Sequence, residues 1–131
     1  MDYIDERDTN PVRDWLRDVK NVPRKAKAKI DRLLLQLAGT ELWVRPAASN
    51  LDDYPGIVEI RVLWMNVQYR LLGFRGPGPR QFTLLEHALE KDDKFVPPSA
   101  PATAKKRMKE VMEENPLPGK PRRRVCEHRF D

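Results

Sequence analysis

The feature that most limits what this chain can fold into is residues 57–74, IVEIRVLWMNVQYRLLGF. Two arms of about eight residues flank Met65-Asn66, where asparagine tolerates the left-handed backbone of a tight turn, so the segment is predicted to be a β-hairpin. Pairing symmetric about that turn sets Val58, Ile60, Val62 and Trp64 opposite Gly73, Leu71, Tyr69 and Val67. That face is wholly apolar, as a sheet packed on helices requires, and a one-residue slip would mix polar and apolar groups on both faces.

The second face carries Glu59, Arg61, Leu63, Gln68 and Arg70, with Arg61 directly opposite Arg70. Like charges facing each other across a strand pair destabilise it. Either solvent screens the two guanidinium groups or an anion sits between them. In the second case they form a bidentate grip for phosphate on a rigid platform.

Composition narrows the class. A chain of 131 residues fits one domain with tails. Its N-terminus, MDYIDERDTN, is polar and acidic and does not read as a signal peptide, and no apolar run approaches the ~18 residues of a membrane span, so a cytoplasmic protein is expected. A single cysteine, Cys126, excludes an internal disulfide framework, and with two histidines no metal-site spacing is visible. The net charge of +5 is unevenly spread: residues 21–45 carry six bases and two acids, residues 101–131 nine and five, and residues 46–100 six and seven. Two basic segments flanking a near-neutral sheet suit a polyanionic partner, although basic helix surfaces also serve solubility alone.

Taken in order, residues 1–9 are expected to form an N-terminal segment with a short edge strand, and residues 10–114 a single domain. Asn10-Pro11 is a helix start, with Val12, Leu16 and Val19 following at helical spacing and an end expected near Lys20–Asn21. Pro23 opens a second helix whose stripe is Ala26, Ile30, Leu33, Leu34 and Leu37 and whose stop is Gly39; Lys25, Lys29 and Arg32 lie on its polar side. Together these two helices predict an αα-hairpin. Residues 40–56 read as a loop, in which Arg45 is the only base and is expected to share a groove with Arg61.

After the turn RGPGPR comes a third strand of this run, QFTLLEHA. If Phe82 and Leu84 face the core, then Thr83, Leu85 and His87 share the face of Arg61 and Arg70; the opposite phase buries Leu85 and His87, and alternation does not decide between them. Residues 89–98 read as a charged loop holding Lys91 and Lys94. A last helix runs to about Glu114, with Ala104, Met108, Val111 and Met112 as its stripe. Residues 115–131 lack periodicity and read as a flexible basic tail.

Several of these residues coincide with a known pattern. A Leu51-x-x-Tyr54-Pro-Gly56 lead-in precedes Glu59-Ile60-Arg61, with Tyr69-Arg70 nine residues on, Lys91 after the third strand, and an Ala104-Lys-Lys-Arg-Met108 helix. In this order and spacing, residues 10–114 resemble the phage-derived branch of the RelE/HigB toxin superfamily of type II toxin–antitoxin systems. The resemblance implies an α+β fold in which an N-terminal αα-hairpin packs on a small twisted antiparallel sheet of three to four strands, followed by a C-terminal helix. Two departures stand out. Where such toxins often carry an aromatic and a Lys–Lys pair, this chain has Leu89-Glu90-Lys91, and Asp2 to Thr9, before the first helix, holds only Tyr3 and Ile4 as apolar residues.

The implied activity is that of a ribosome-dependent endoribonuclease, an mRNA interferase, encoded by a bacterium or a phage and acting in the cytoplasm. It uses no metal or other cofactor. Its implied partners are the ribosome with its mRNA and a cognate antitoxin, commonly a helix-turn-helix DNA-binding protein. Attack of a ribose 2′-hydroxyl on its own phosphate needs a base, cationic stabilisation of the phosphorane and a proton for the leaving oxygen. Arg61 and Arg70 suit the clamp, Lys91 matches a functional base of the family, and His87 is a proton-transfer candidate because its unperturbed pKa is near neutrality. Arg45, Lys94, Lys25, Lys29 and Arg32 would then bind RNA. Two other readings compete: a ParE-like toxin that poisons gyrase, and a phage or host binding protein without catalytic activity.

Overall fold

The hairpin anchors the molecule in the expected register, with Val58 opposite Gly73, Arg61 opposite Arg70 and Trp64 opposite Val67. Its turn residues Met65 and Asn66 both have positive φ, 50° and 64°, which matches the twist of the flanking strands. The structure, a computed structural model, describes residues 1–40, 43, 47–78, 80–113 and 124–130. Along the chain these form β1 (Asp2–Tyr3), α1 (Pro11–Arg17), α2 (Arg24–Ala38), β2 (Ala48–Asn50), β3 (Val58–Trp64), β4 (Val67–Arg75), β5 (Phe82–Lys91), β6 (Lys94–Val96), α3 (Ala100–Met112) and β7 (Val125–Cys126).

This differs from the expected helical hairpin on a small antiparallel sheet of three to four strands. The described residues build a mixed sheet of seven strands, ordered β2-β3-β4-β5-β1-β7 with β6 added beside β5, and three helices. β1 runs parallel to β5 and antiparallel to β7. The additional strands are two or three residues long and carry no alternation of their own. Long-range pairing defines them, so a local reading misses them.

Helices cover both faces. On one, Val12 and Leu16 of α1 and Ala26, Ile30, Leu34 and Leu37 of α2 pack on Val58, Ile60, Val62, Tyr69, Leu71 and Leu84. On the other, Ala100, Ala104, Met108 and Val111 of α3 pack on Ile57, Leu72, Phe74, Leu85 and Ala88. The first helix is shorter than expected: it stops at Arg17, and Val19 is 58% exposed. Asn10 caps it, its side-chain oxygen accepting from the Arg13 N–H at 3.0 Å.

A bulge between β4 and β5 governs the rest. Leu72 faces Glu86 while the next residue, Gly73, faces Leu84, so Leu85 is an extra residue in β5. Gly73 is required beside it, because a Cβ there would lie 2.4 Å from the Thr83 carbonyl oxygen. Beyond the bulge, residues 89–98 do not form a loop: β5 continues to Lys91, and Asp92 and Asp93, both at positive φ, turn the chain into β6. The expected flexible tail also needs correction for residues 124–130, since Val125 and Cys126 pair with Tyr3 and Asp2.

A basic groove beside the central arginine pair

The anion that the facing arginines call for is supplied by the protein itself. Arg70 is buried, and its Nε lies 2.6 Å from Oε1 of Glu59, an ion contact without hydrogen-bond alignment. The same carboxylate oxygen accepts from Arg61 Nε at 3.2 Å. Arg70 Nη2 donates to Glu90 Oε2 and, at 2.6 Å, to Gln68 Oε1. Arg61 Nη2 donates to Ser49 Oγ at 2.8 Å. Two guanidinium groups and two carboxylates therefore form one network with no net charge, and within it Arg70 and Glu59 are both 4% exposed.

The strands dictate this set. Glu59 and Arg61 are two apart on β3 and share a face; Glu90 joins them because β5 places it opposite Gln68, diagonal to Arg70. The acid that departs from the family pattern at position 90 thus has a defined partner.

Beside this network, α2 and the β3–β4 hairpin enclose a groove of about 480 Å³ lined by Lys29, Arg32, Gln36, Arg61, Gln68 and Arg70 over Leu33, Val62 and Leu63. Lys29 Nζ donates to the Leu63 carbonyl, tying the helix to the strand. Lys25, Lys29 and Arg32 lie at helical spacing and extend a basic ridge, although Lys25 does not line the groove. Because the arginine–carboxylate network is neutral, it is the Lys29 and Arg32 charges that leave the groove a net positive potential.

The remaining candidates lie elsewhere. The bulge inverts the phase of β5, so His87 falls opposite Leu71 on the α1 side and not beside Arg61 and Arg70. There it stacks on Trp15 at 4.6 Å and 9° between planes. Burial lowers its pKa below the usual 6.5; Glu86 works against that shift and Arg107 adds to it. Lys91 and Lys94 are exposed and face each other across the β5–β6 hairpin. By alternation from Leu89 and Tyr69 they also fall on the α1 side. Arg45 lies outside the described residues.

Sequence reasoning missed Glu59 and Glu90 as members of the site. Glu59 was legible, since its spacing from Arg61 places it on the arginine face; Glu90 depends on the bulge, which leaves no mark in the pattern. Among the described residues no three or more His, Cys, Asp or Glu side chains converge as a metal site, and no helix is long and apolar enough to cross a membrane. Comparison with protein-family models, curated proteins and solved structures finds no match, so the toxin resemblance rests on the motifs alone.

Proposed function

We propose that the groove binds RNA and that the protein is the toxin of a type II toxin–antitoxin pair. On this reading it acts in the cytoplasm as a ribosome-dependent endoribonuclease, cleaving mRNA by attack of a 2′-hydroxyl on the adjacent phosphate, and is held in check by a cognate antitoxin. The observation that carries the reading is the convergence of Lys29 and Arg32 from α2 with Arg61 from β3 on one groove. Cationic side chains from two rigid elements suit a phosphate backbone and a developing phosphorane.

Roles shift accordingly. Arg61, 28% exposed, is the phosphate-facing member of the pair, while Arg70, held by Glu59 and Glu90, stiffens the platform beneath it. Glu90, 23% exposed at the edge of the network, takes the role of base in place of His87 and Lys91, which face away.

The neutralisation of Arg70 favours one other reading, a binding module that holds RNA without cutting it. Two measurements separate them. Affinity for single-stranded RNA should fall with salt at a log–log slope of roughly −2, and Lys29→Ala with Arg32→Ala should flatten it by about 1.4. Mapping mRNA 5′ ends after induction in bacteria should show new ends that Glu90→Gln removes. Binding without new ends selects the module; neither binding nor cleavage refutes both.

A further inference from the structure

A second cavity, of about 1020 Å³, opens where the end of α2, the β4–β5 turn and the residues after β7 meet, and none of Lys29, Arg32 or Arg61 lines it. One wall is apolar, built from Leu34, Leu37, Phe82 and Phe130. Beside it Trp43 is fixed by its Nε1, which donates to the Leu37 and Thr40 carbonyls, both at 2.9 Å. Its ring meets Phe82 at 4.6 Å and carries the Arg75 guanidinium 4.6 Å above its centroid. Arg80 lines the same cavity from an exposed turn, and no carboxylate lies within salt-bridge reach of Arg75 or Arg80 among the described residues.

A residue with an unmet hydrogen-bonding atom borders the cavity. His128 lines it, with a side chain only 9% exposed. Its Nδ1 is bound to buried Asp2, 2.8 Å from Oδ1, and Asn10 holds the same carboxylate at 2.9 Å. Its Nε2 is buried with no partner. Buried polar atoms are nearly always paired, and leaving one unpaired is costly. With Nδ1 engaged by the Asp2 carboxylate, Nε2 is the ring atom left without a partner.

We propose that this cavity is a nucleotide site. The base lies against the apolar wall and the phosphate against Arg75 and Arg80, with the His128 ring beside them. A plain hydrocarbon anion fits less well, because polar groups interrupt the wall. The Gln81 amide oxygen accepts from the Gly78 N–H at 3.0 Å, leaving its NH2 for a base edge, and the Glu127 carboxylate can accept from a base amino group. Flat guanidinium and aromatic surfaces are what nucleobases stack on. Such a ligand could be a free 5′-nucleotide or one residue of a strand, with the same chemistry in either case.

The test is NMR titration of the isotope-labelled full chain, read at the Trp43 indole N–H and the His128 ring. AMP, adenosine, inorganic phosphate, decanoate and a short single-stranded RNA are added separately. AMP should shift both signals and bind about tenfold more tightly than adenosine or phosphate, and Arg80→Ala should weaken it about tenfold. Lys29→Ala with Arg32→Ala should leave AMP binding unchanged, which keeps this result independent of the groove. Shifts from RNA alone, with the same dependence on Arg80, assign a strand subsite. The proposal is overturned if neither AMP nor RNA moves these signals, if Arg80→Ala changes nothing, or if decanoate binds more tightly than AMP.

Discussion

Leu71 and Leu72 are neighbours in β4 and both are fully buried, yet they belong to different interiors. Leu71 sits in a continuous apolar layer under α1 and α2. Leu72 sits in a smaller layer under α3 that gives way, two residues back at Arg70, to a buried ionic network. One face of the sheet is therefore stabilised mainly by removing apolar area from water, which tolerates modest changes of shape. The other depends on matched charges, which tolerate the loss of neither partner. The difference teaches where this fold is brittle.

The sharpest way to break the comparison is Arg70→Ala, which strands Glu59 as a buried charge and should cost about 3–5 kcal/mol in urea unfolding. A cost below about 1 kcal/mol would mean that Arg61, already bonded to Glu59, replaces Arg70 in full. Next comes the bulge. Arg107 Nη1 donates to the carbonyl of the extra residue Leu85 at 2.8 Å and lies 3.3 Å from Glu86 Oε1. Arg107→Ala should cost about 1–3 kcal/mol by removing the donor to the Leu85 carbonyl and the cation beside Glu86, whose Oε1 keeps the His87 N–H. It should also disturb the near-ultraviolet signal of Trp15, because the bulge sets the phase that brings His87 onto that ring. An unchanged spectrum would show that β5 keeps its phase without Arg107.

Acid should act on the same stack. Because burial lowers the His87 pKa, the unfolded chain binds more protons than the folded one in the interval below about pH 6.5. Stability from this group is present above the unfolded pKa and is lost as the pH falls through the lowered folded value. His87→Phe keeps an aromatic ring on Trp15 and should flatten stability across that interval; an unchanged pH profile would assign the loss to other groups. The smallest effect belongs to the exposed turn, where Met65 holds a positive φ that its Cβ disfavours. Met65→Asn should raise stability by about 0.5–1 kcal/mol, and a loss would mean that the Met65 side chain makes a contact that matters.

What was legible in the sequence follows from range. The β3–β4 hairpin, α2 and α3 are recorded in local periodicity, and the register of Arg61 on Arg70 followed from which face is apolar. The two-residue strands β1 and β7 have too few positions to show a period, and their partners lie far along the chain. Leu85 was hardest to see. It is an apolar residue in an apolar strand, and nothing about it announces that every side chain after it changes sides. Because of that residue, His87 and Lys91 do not face the arginines and Glu90 does.

The parallel pairing of β1 with β5 has a consequence for the order of assembly. The β3–β4 hairpin closes over a two-residue turn and can form as soon as its second arm exists. Asp2, by contrast, has no strand partner until Leu84 has been made, and its second partner, Cys126, comes later still. During synthesis the front of the chain therefore waits unpaired while the middle folds, since contacts so distant in sequence pay their loop-closure entropy last. Of the described strands, the earliest in sequence is among the last to be placed.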